Sequence, residues 1–566
     1  MSRLNLAIRA AALAAAGLAA LPAADRLRAQ SAADENRTEL RIARYTLDVR
    51  IAEAFTGGLN LTARATLALV ARAEVAPSLR FTLDSKLTAD SARWGTGESL
   101  RISKAEDGDL LSVEAPHGLQ AGDTAALTIY YHGGRIDRFA NMFFIDPATA
   151  WYPINRQGPR TAAFDLTFHA PARYPLISIG ARTDSSREGN VVTTRWVAER
   201  PTPYATFNLG LFESYHAEQP GAAPLDVLFS EEAHREIRRI AAENGYFLIE
   251  QSQKPQRVAD DVANALKLFT SLFGASPYTH FYVTEIPYAE GVSFPGLIDF
   301  SFGTFQNTEL DGFDEFFRAH ETAHQWWGNG VLPGASRDRW LSEGFASFSG
   351  LWYLQAVRKR SDDYFRFLDR YRSDIEDVRA DARAIWSSDP ASSKAASHDR
   401  EIMVYEKGAW VLNMLRVLML DLRALSDDRF IATLRDYYQA YDGSPASTED
   451  FQHVVEQHIG MPMDWFFDEW VKRTEIPTYH VAWTAEPQAD GRFRVRLRVR
   501  QEGVGAAFHM PVLVAADLGG DRTARFRVDV GGGLTEYVSP LLPSEPQRVT
   551  FNDLHAVLAE VRTERW

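Results

Sequence analysis

The sequence predicts a multidomain α+β protein, with a β-rich N-terminal domain over 38–215, a mainly helical domain over 225–474 and a small C-terminal β-sandwich over 476–566. Three observations predict it. Apolar and polar residues alternate from Tyr45 onward, the apolar period lengthens to that of a helix after about residue 225, and alternation returns after Glu475-Ile476-Pro477. With 566 residues, 45% of them hydrophobic and 12% aromatic, the chain can bury several sizeable cores. A net charge of −14 gives a self-repelling surface and argues against a broad nucleic-acid footprint. The absence of cysteine excludes disulfides, a lipid-modified cysteine and a thiol nucleophile.

The N-terminal run carries Arg3 and Arg9, then a short Ala/Leu segment and small residues to Ala24, the pattern of a signal peptide over 1–24. Its apolar stretch, Ala10 to Ala24, is short for a membrane span, and no later segment approaches the ~18 uninterrupted apolar residues that a span requires. The expectation is an exported protein, periplasmic or secreted, without a stable membrane span after signal removal; retention of the segment as an uncleaved anchor is the alternative. Tyr45, Leu47, Val49 and Ile51 interleave with Thr46, Asp48 and Arg50, and Leu59, Leu61, Ala63, Ala65, Leu67 and Leu69 repeat that period, so half-buried strands are expected. Residues 216–224, HAEQPGAAP, read as a linker.

Beyond it Val262, Leu266, Phe269 and Phe273 mark a helix ending at Gly274. A strand is expected at 281–286, and with the following GVSFPGLIDFS it offers an edge that could pair with an extended peptide. Residues 387–399, SSDPASSKAASHD, read as a loop, either a lid or a solvated connector. In the last domain Phe493, Val495, Leu497 and Val499 alternate with Arg492, Arg494, Arg496, Arg498 and Arg500. One face of that strand is basic, suited to an anionic partner or, as the default, to solvent on the outside of a sandwich. There are no internal repeats, phosphate-binding glycine loops or heptads.

The chemistry is concentrated in HETAH at 320–324. On a helix His320 and His324 project from one face, so two imidazole nitrogens can meet one metal ion. Glu321 lies about 100° further round, placed to act on a water at the open side of that metal. Phe313, Phe316, Phe317, His320, His324 and Trp327 form one helical stripe, closed by Gly328-Asn329-Gly330, which turns both histidines inward. Glu343, in WLSEGFA, shares its helical face with the small residues Ala346, Ser347 and Gly350, which would let a second helix come close enough for a carboxylate to complete the site. Two histidines and a glutamate leave the fourth position of a zinc ion for water, as in catalytic rather than structural sites.

With HETAHQWWGN at 320–329, WLSEGFA at 340–346, LFGASPY at 272–278, VYEKGAW at 404–410 and DWFFDEWV at 464–471, the chain resembles the gluzincin zinc aminopeptidases, the family of alanyl aminopeptidases and leukotriene hydrolase. WYP at 151–153 and TFNLGLF at 206–212 extend the likeness into the N-terminal third. The resemblance implies a thermolysin-like catalytic domain, one zinc ion held by His320, His324 and Glu343, a peptide substrate, and Tyr405 as donor to the oxyanion. It also implies a short bacterial-type member without the large helical C-terminal domain of longer relatives, hence a more open cleft.

One motif departs from the family. Its G-x-M-E-N loop, whose glutamate grips the substrate's free amino group, corresponds to Gly291, Val292, Ser293, Phe294 and Pro295, so that Phe294 stands in the glutamate's place. Glu290 is adjacent and could substitute, or be a solvated loop carboxylate. The family's usual glutamine is also missing from 148–158. The reading is therefore hydrolysis of peptide bonds with Glu321 as general base, most naturally at the N-terminus of a peptide. Gly291–Phe294 are the substrate-binding candidates. An endopeptidase, or an aminopeptidase with unusual N-terminal recognition, is the alternative, and a catalytically idle zinc-containing peptide-binding module the third reading. Side-chain preference and oligomeric state are left open.

Overall fold

Alternation in the N-terminal part becomes paired strands. Leu40–Glu53 and Leu59–Ala71 run antiparallel, burying Tyr45, Leu47 and Val49 on one and Leu61, Ala63, Ala65 and Leu67 on the other. They lie in the middle of a ten-stranded sheet, accompanied by a four-stranded sheet of Asp137–Phe139, Met142–Phe144, Leu176–Ser178 and Phe207–Gly210. The computed structural model describes residues 39–54, 57–95, 97–105, 108–146, 149–155, 161–245, 254–287, 291–306, 312–388 and 394–566. The expected leader over 1–24 and Glu290 lie outside them.

The chain forms two compact units, the first reaching Thr270 and including Ala275–Ser336, the second made of Ser271–Gly274 and Arg337–Trp566. The first unit holds, besides the N-terminal sheets, a five-stranded sheet ordered Glu213–Ala217, Leu225–Phe229, Phe281–Ile286, Leu297–Ser301, Val292–Phe294. Val292–Phe294 is thus an edge strand, antiparallel to its neighbour. His216 and Ala217, expected in a linker, instead pair with Leu225–Phe229. Their polar neighbours are compatible with an edge position, and His216 gains a 2.8 Å bond to Asp226. The helix Lys254–Phe273 stops before Gly274 at φ +116°, a conformation that glycine alone adopts without strain.

The second unit begins with the helices Trp340–Ala356 and Ser361–Val378 and ends in sheets of four and three strands. Val495, Leu497 and Val499 are buried between those sheets, which meet through Tyr479 against Phe551 and Phe526 stacked on Tyr537. The arginines on the other face of Phe493–Glu502 are ion-paired at the surface: Arg496 with Glu486, Arg498 with Glu536 and Arg500 with Glu564. That is the solvated outer face of a sandwich. The stretch expected as a loop at 387–399 is helical in its second half, because Lys394–Glu401 runs on through Ile402–Lys407 into Gly408–Met419. No proline or glycine lies between Pro390 and Gly408 to stop helix propagation. Among the described residues no helix is long and apolar enough to cross a membrane.

Asp299, fully buried on Leu297–Ser301, joins the five-stranded sheet to the N-terminal part. Its Oδ1 accepts from Thr284 at 2.6 Å and from Asn208 at 2.8 Å. Burial pushes the carboxyl up to about 6, against the pull of these two donors. Because the folded value is raised, the contribution of the protonated acid is full below the unfolded value of about 4 and is lost as pH rises through about 6. Asp299→Asn, neutral at every pH, is expected to remove this loss, so that its thermal midpoint gains on the parent's between about pH 4 and 7. Parallel midpoint curves for the two proteins would contradict it.

Candidate metal centre

The helix Phe313–Ala323 starts at Gly312 (φ 83°) with Asp314 and Glu315 in its first turn, where carboxylates favour the helix dipole. Arg318 anchors it from within, bonding Asp261 at 2.7 Å and the Thr304 carbonyl. His320 and Glu321 are buried in its last turn. The apolar stripe predicts a helix running to Trp327, but the α-helix ends at Ala323 and His324 caps it, still right-handed at φ −60°, ψ −14°. The i, i+4 relation to His320 is therefore kept while the chain turns away. That turn serves the ring: Nδ1 of His324 lies 2.8 Å from the Trp327 carbonyl, and the Asn329 amide bonds the His324 carbonyl at 3.1 Å. A carbonyl can only accept, so Nδ1 carries the proton and Nε2 presents its lone pair.

The Nε2 atoms of His320 and His324 are 3.2 Å apart. Two imidazoles bound tetrahedrally to one zinc at about 2.05 Å would be separated by about 3.3 Å, so the spacing fits. Glu343, buried in Trp340–Ala356, completes the set: ligand atoms of His320, His324 and Glu343 all lie within 4.8 Å of one another. Two neutral nitrogens and one carboxylate oxygen suit zinc, and three protein ligands leave a position for water.

Glu321 is held by the strand edge. Ser293 Oγ stands 2.9 Å from its Oε2 and 2.6 Å from its backbone carbonyl. Gly291 packs so closely that a Cβ there would be 2.8 Å from both Cδ and Oε1 of Glu321. The edge is tied back by the residues after HETAH, since Gln325 donates to the Phe294 carbonyl at 3.1 Å and Asn329 to the Ser293 carbonyl at 3.1 Å. Val292 is half-buried. The Phe294 side chain, 4% exposed, belongs to the N-terminal apolar core with Trp151, Tyr152 and Phe207. The structure thus sets Gly291 and Ser293 against Glu321 and Phe294 into the core.

Tyr405 lies in a π-helical turn, Ile402–Lys407, an irregularity that is frequent at functional positions. Its hydroxyl oxygen accepts from Arg339 Nη2 at 2.9 Å, and Arg339 Nε is 3.8 Å from Glu343 Oε1. The segment carrying Tyr405 reaches the helix carrying Glu343 through two glycines: a Cβ on Gly344 would stand 2.8 Å from the Gly408 Cα. Sequence reasoning looked to Ala346, Ser347 and Gly350 for close approach and passed over this pair. Both glycines sit inside the quoted motifs, Gly344 next to Glu343 and Gly408 three residues after Tyr405. Nothing in the sequence singles out Arg339.

A buried pair of histidines and a glutamate, with a second glutamate between the histidines, defines the gluzincin class of metal-dependent hydrolase sites. The peptidase family M1 domain matches residues 317–470, the stretch that holds the histidine pair, Glu343 and Tyr405. Aminopeptidase M1-B of Oryza sativa subsp. japonica is 29% identical over 256 residues, covering 42% of this chain and 27% of that protein. Aminopeptidase A of Gloydius brevicauda is 31% identical over 169 residues, covering 29% of this chain and 16% of that protein. The chain therefore spans less than a third of the length of these curated relatives. Among solved structures, an M1 zinc metallopeptidase from Deinococcus radiodurans has the same fold, with a TM-score of 0.58, 20% identity, and coverage of 77% of this chain and 95% of that one.

Glu343→Ala should lose stoichiometric zinc, because two imidazoles alone do not retain the ion against buffer exchange. Metal analysis of purified protein is the readout, and one zinc per chain in that variant would remove Glu343 from the ligand set.

Proposed function

We propose that this protein is a zinc-dependent peptidase that removes residues from the N-terminus of peptides. The observation that carries the reading is the buried His320–His324–Glu343 donor set with Glu321 held beside it by Ser293. Zinc, when bound, would acidify a water and polarise the scissile carbonyl. Glu321 is the group that takes the water's proton and returns it to the leaving amine; as a carboxylate it accepts at one oxygen while Ser293 steadies the other. Tyr405 donates its hydroxyl proton to the carbonyl oxygen as that oxygen becomes negative. The edge position of Val292–Phe294 supports pairing with an extended peptide through backbone groups other than the Ser293 and Phe294 carbonyls, which Asn329 and Gln325 engage.

The family and the names of the relatives favour an aminopeptidase. One observation favours a second reading, an endopeptidase: the position expected to grip a free amino group is occupied by Phe294, whose side chain is in the core. The N-terminal pattern of Arg3, Arg9 and the Ala/Leu run supports export, so the proposed substrates are peptides met outside the cytoplasm.

Glu321→Gln should retain zinc and fold yet lose at least roughly 100-fold in kcat, because an amide cannot accept the proton. Undiminished turnover would place the base elsewhere. The type of cleavage is decided by mass spectrometry of products from matched peptides with free and acetylated N-termini. Stepwise loss of single residues from free ends alone is expected, and internal cuts in the acetylated peptide would establish the endopeptidase instead.

A further inference from the structure

Arg339 is the first residue of the Trp340–Ala356 helix boundary, one turn before Glu343, and its side chain is only 8% exposed. Arginine is poorly suited to this place. The residue at a helix start ordinarily carries a short oxygen-bearing side chain that caps an amide, and Arg339 makes no such side-chain cap. A cation there also opposes the positive end of the helix dipole. A choice that goes against both local preferences points to a use elsewhere.

That use is visible at Tyr405. A guanidinium has five N–H donors and no acceptor, so at the 2.9 Å contact with Arg339 the phenol oxygen must accept. A phenol has a single proton. The Arg339 contact uses the oxygen and not that proton, whereas a carbonyl or carboxylate in place of Arg339 would consume it. The donated bond also polarises the O–H, as consecutive hydrogen bonds do in a low-dielectric site. The guanidinium is itself fixed from both sides, by Glu343 Oε1 at 3.8 Å from Nε and by the face of the Tyr405 ring, 5.4 Å from its carbon to the centroid.

We propose that Arg339 is a positioning residue for the oxyanion donor, orienting the Tyr405 hydroxyl so that its proton is available to the reacting carbonyl oxygen. This rests on the proposed role of Tyr405. It predicts that Arg339 matters for turnover only while the phenol is present, a dependence that a residue needed merely for the fold or for holding Glu343 would not show.

The test is a double-mutant cycle of Arg339→Met and Tyr405→Phe, with zinc content, kcat and KM measured on the best free-N-terminus peptide. Arg339→Met is expected to keep one zinc per chain and to lose about 10- to 100-fold in kcat with KM within about twofold. In the Tyr405→Phe background the same change should cost less than about threefold, because there is no hydroxyl left to orient. Equal losses in both backgrounds, a rise in KM at constant kcat, or loss of zinc in Arg339→Met would each overturn the proposal. If Arg339→Met fails to fold, Arg339→Lys carries the same cycle, with a smaller loss that must again vanish when Tyr405 is Phe. Full turnover by Tyr405→Phe itself would sink the role of Tyr405. An impaired Tyr405→Phe with additive losses would sink only that of Arg339.

Discussion

Gly344 and Gly408 face each other with no side chain between them, and the reactive part of the second unit depends on that contact. A helix pair separated by ordinary side chains has its axes about 8–10 Å apart, too far for short groups on neighbouring turns to share one partner. Here the backbones touch: a Cβ on either glycine would meet the Cα of the other at 2.8–2.9 Å. Glu343 directly precedes Gly344, and Tyr405 precedes Gly408 by three residues. Arg339, one turn back on the first helix, can therefore bond the Tyr405 hydroxyl while staying within 3.8 Å of Glu343. The π-helical turn at Ile402–Lys407 belongs to the same arrangement, because its extra residue per turn re-aims the side chains that precede Gly408.

In the first unit the governing requirement is that buried polar groups find partners. His320, Glu321, His324, Gln325 and Asn329 are all under 10% exposed. Each polar atom left without a partner would cost on the order of 1–3 kcal/mol. The sequence after HETAH meets this locally. Gln325 is bonded on both sides of its amide, accepting from the Gly296 amide at 3.0 Å and donating to the Phe294 carbonyl. Asn329 ties down Ser293, and Ser293 in turn ties down Glu321. Glu321 is thus held by hydrogen bonds that start at Asn329, just beyond the helix, and return to that helix through Ser293. The early stop of that helix follows from the same demand, since the Trp327 carbonyl can reach His324 Nδ1 only if the chain turns after Ala323.

Elements whose signal is local were legible in the sequence. The alternation at Tyr45–Ile51, the helix ending at Gly274, the strand at 281–286 and the basic strand at 493–502 all depend on period and on punctuation by glycine. The histidine pair was legible because four residues on a helix fix its geometry, and Glu343 because a motif carries it. What escaped depends on partners distant in sequence. Arg339 is an ordinary arginine until Tyr405 is placed against it. The close approach at Gly344 cannot be distinguished from one at Gly350 without knowing which helix faces which. The loop expected at 387–399 was misjudged because Ser and Ala composition outweighed the absence of any breaker between Pro390 and Gly408.

Phe294 stands in a backbone frame that does not depend on its side chain. The backbone of the Gly291–Phe294 edge is secured by Gln325, Asn329 and the close seat of Gly291 on Glu321, none of which depends on what side chain stands at 294. A carboxylate there would need an amine or other cation to offset its desolvation, which is how a glutamate at this position can select a free N-terminus. Phenylalanine has the opposite requirement. Packed with Trp151, Tyr152 and Phe207, it gains by burial, roughly 2 kcal/mol for a fully enclosed ring, and it stabilises the N-terminal core instead of recognising charge. This position therefore contributes no carboxylate to recognition. Under the proposed function, a preference for a free amino group requires another carboxylate near the edge, and exo- or endopeptidase character would turn on whether such a group is in reach.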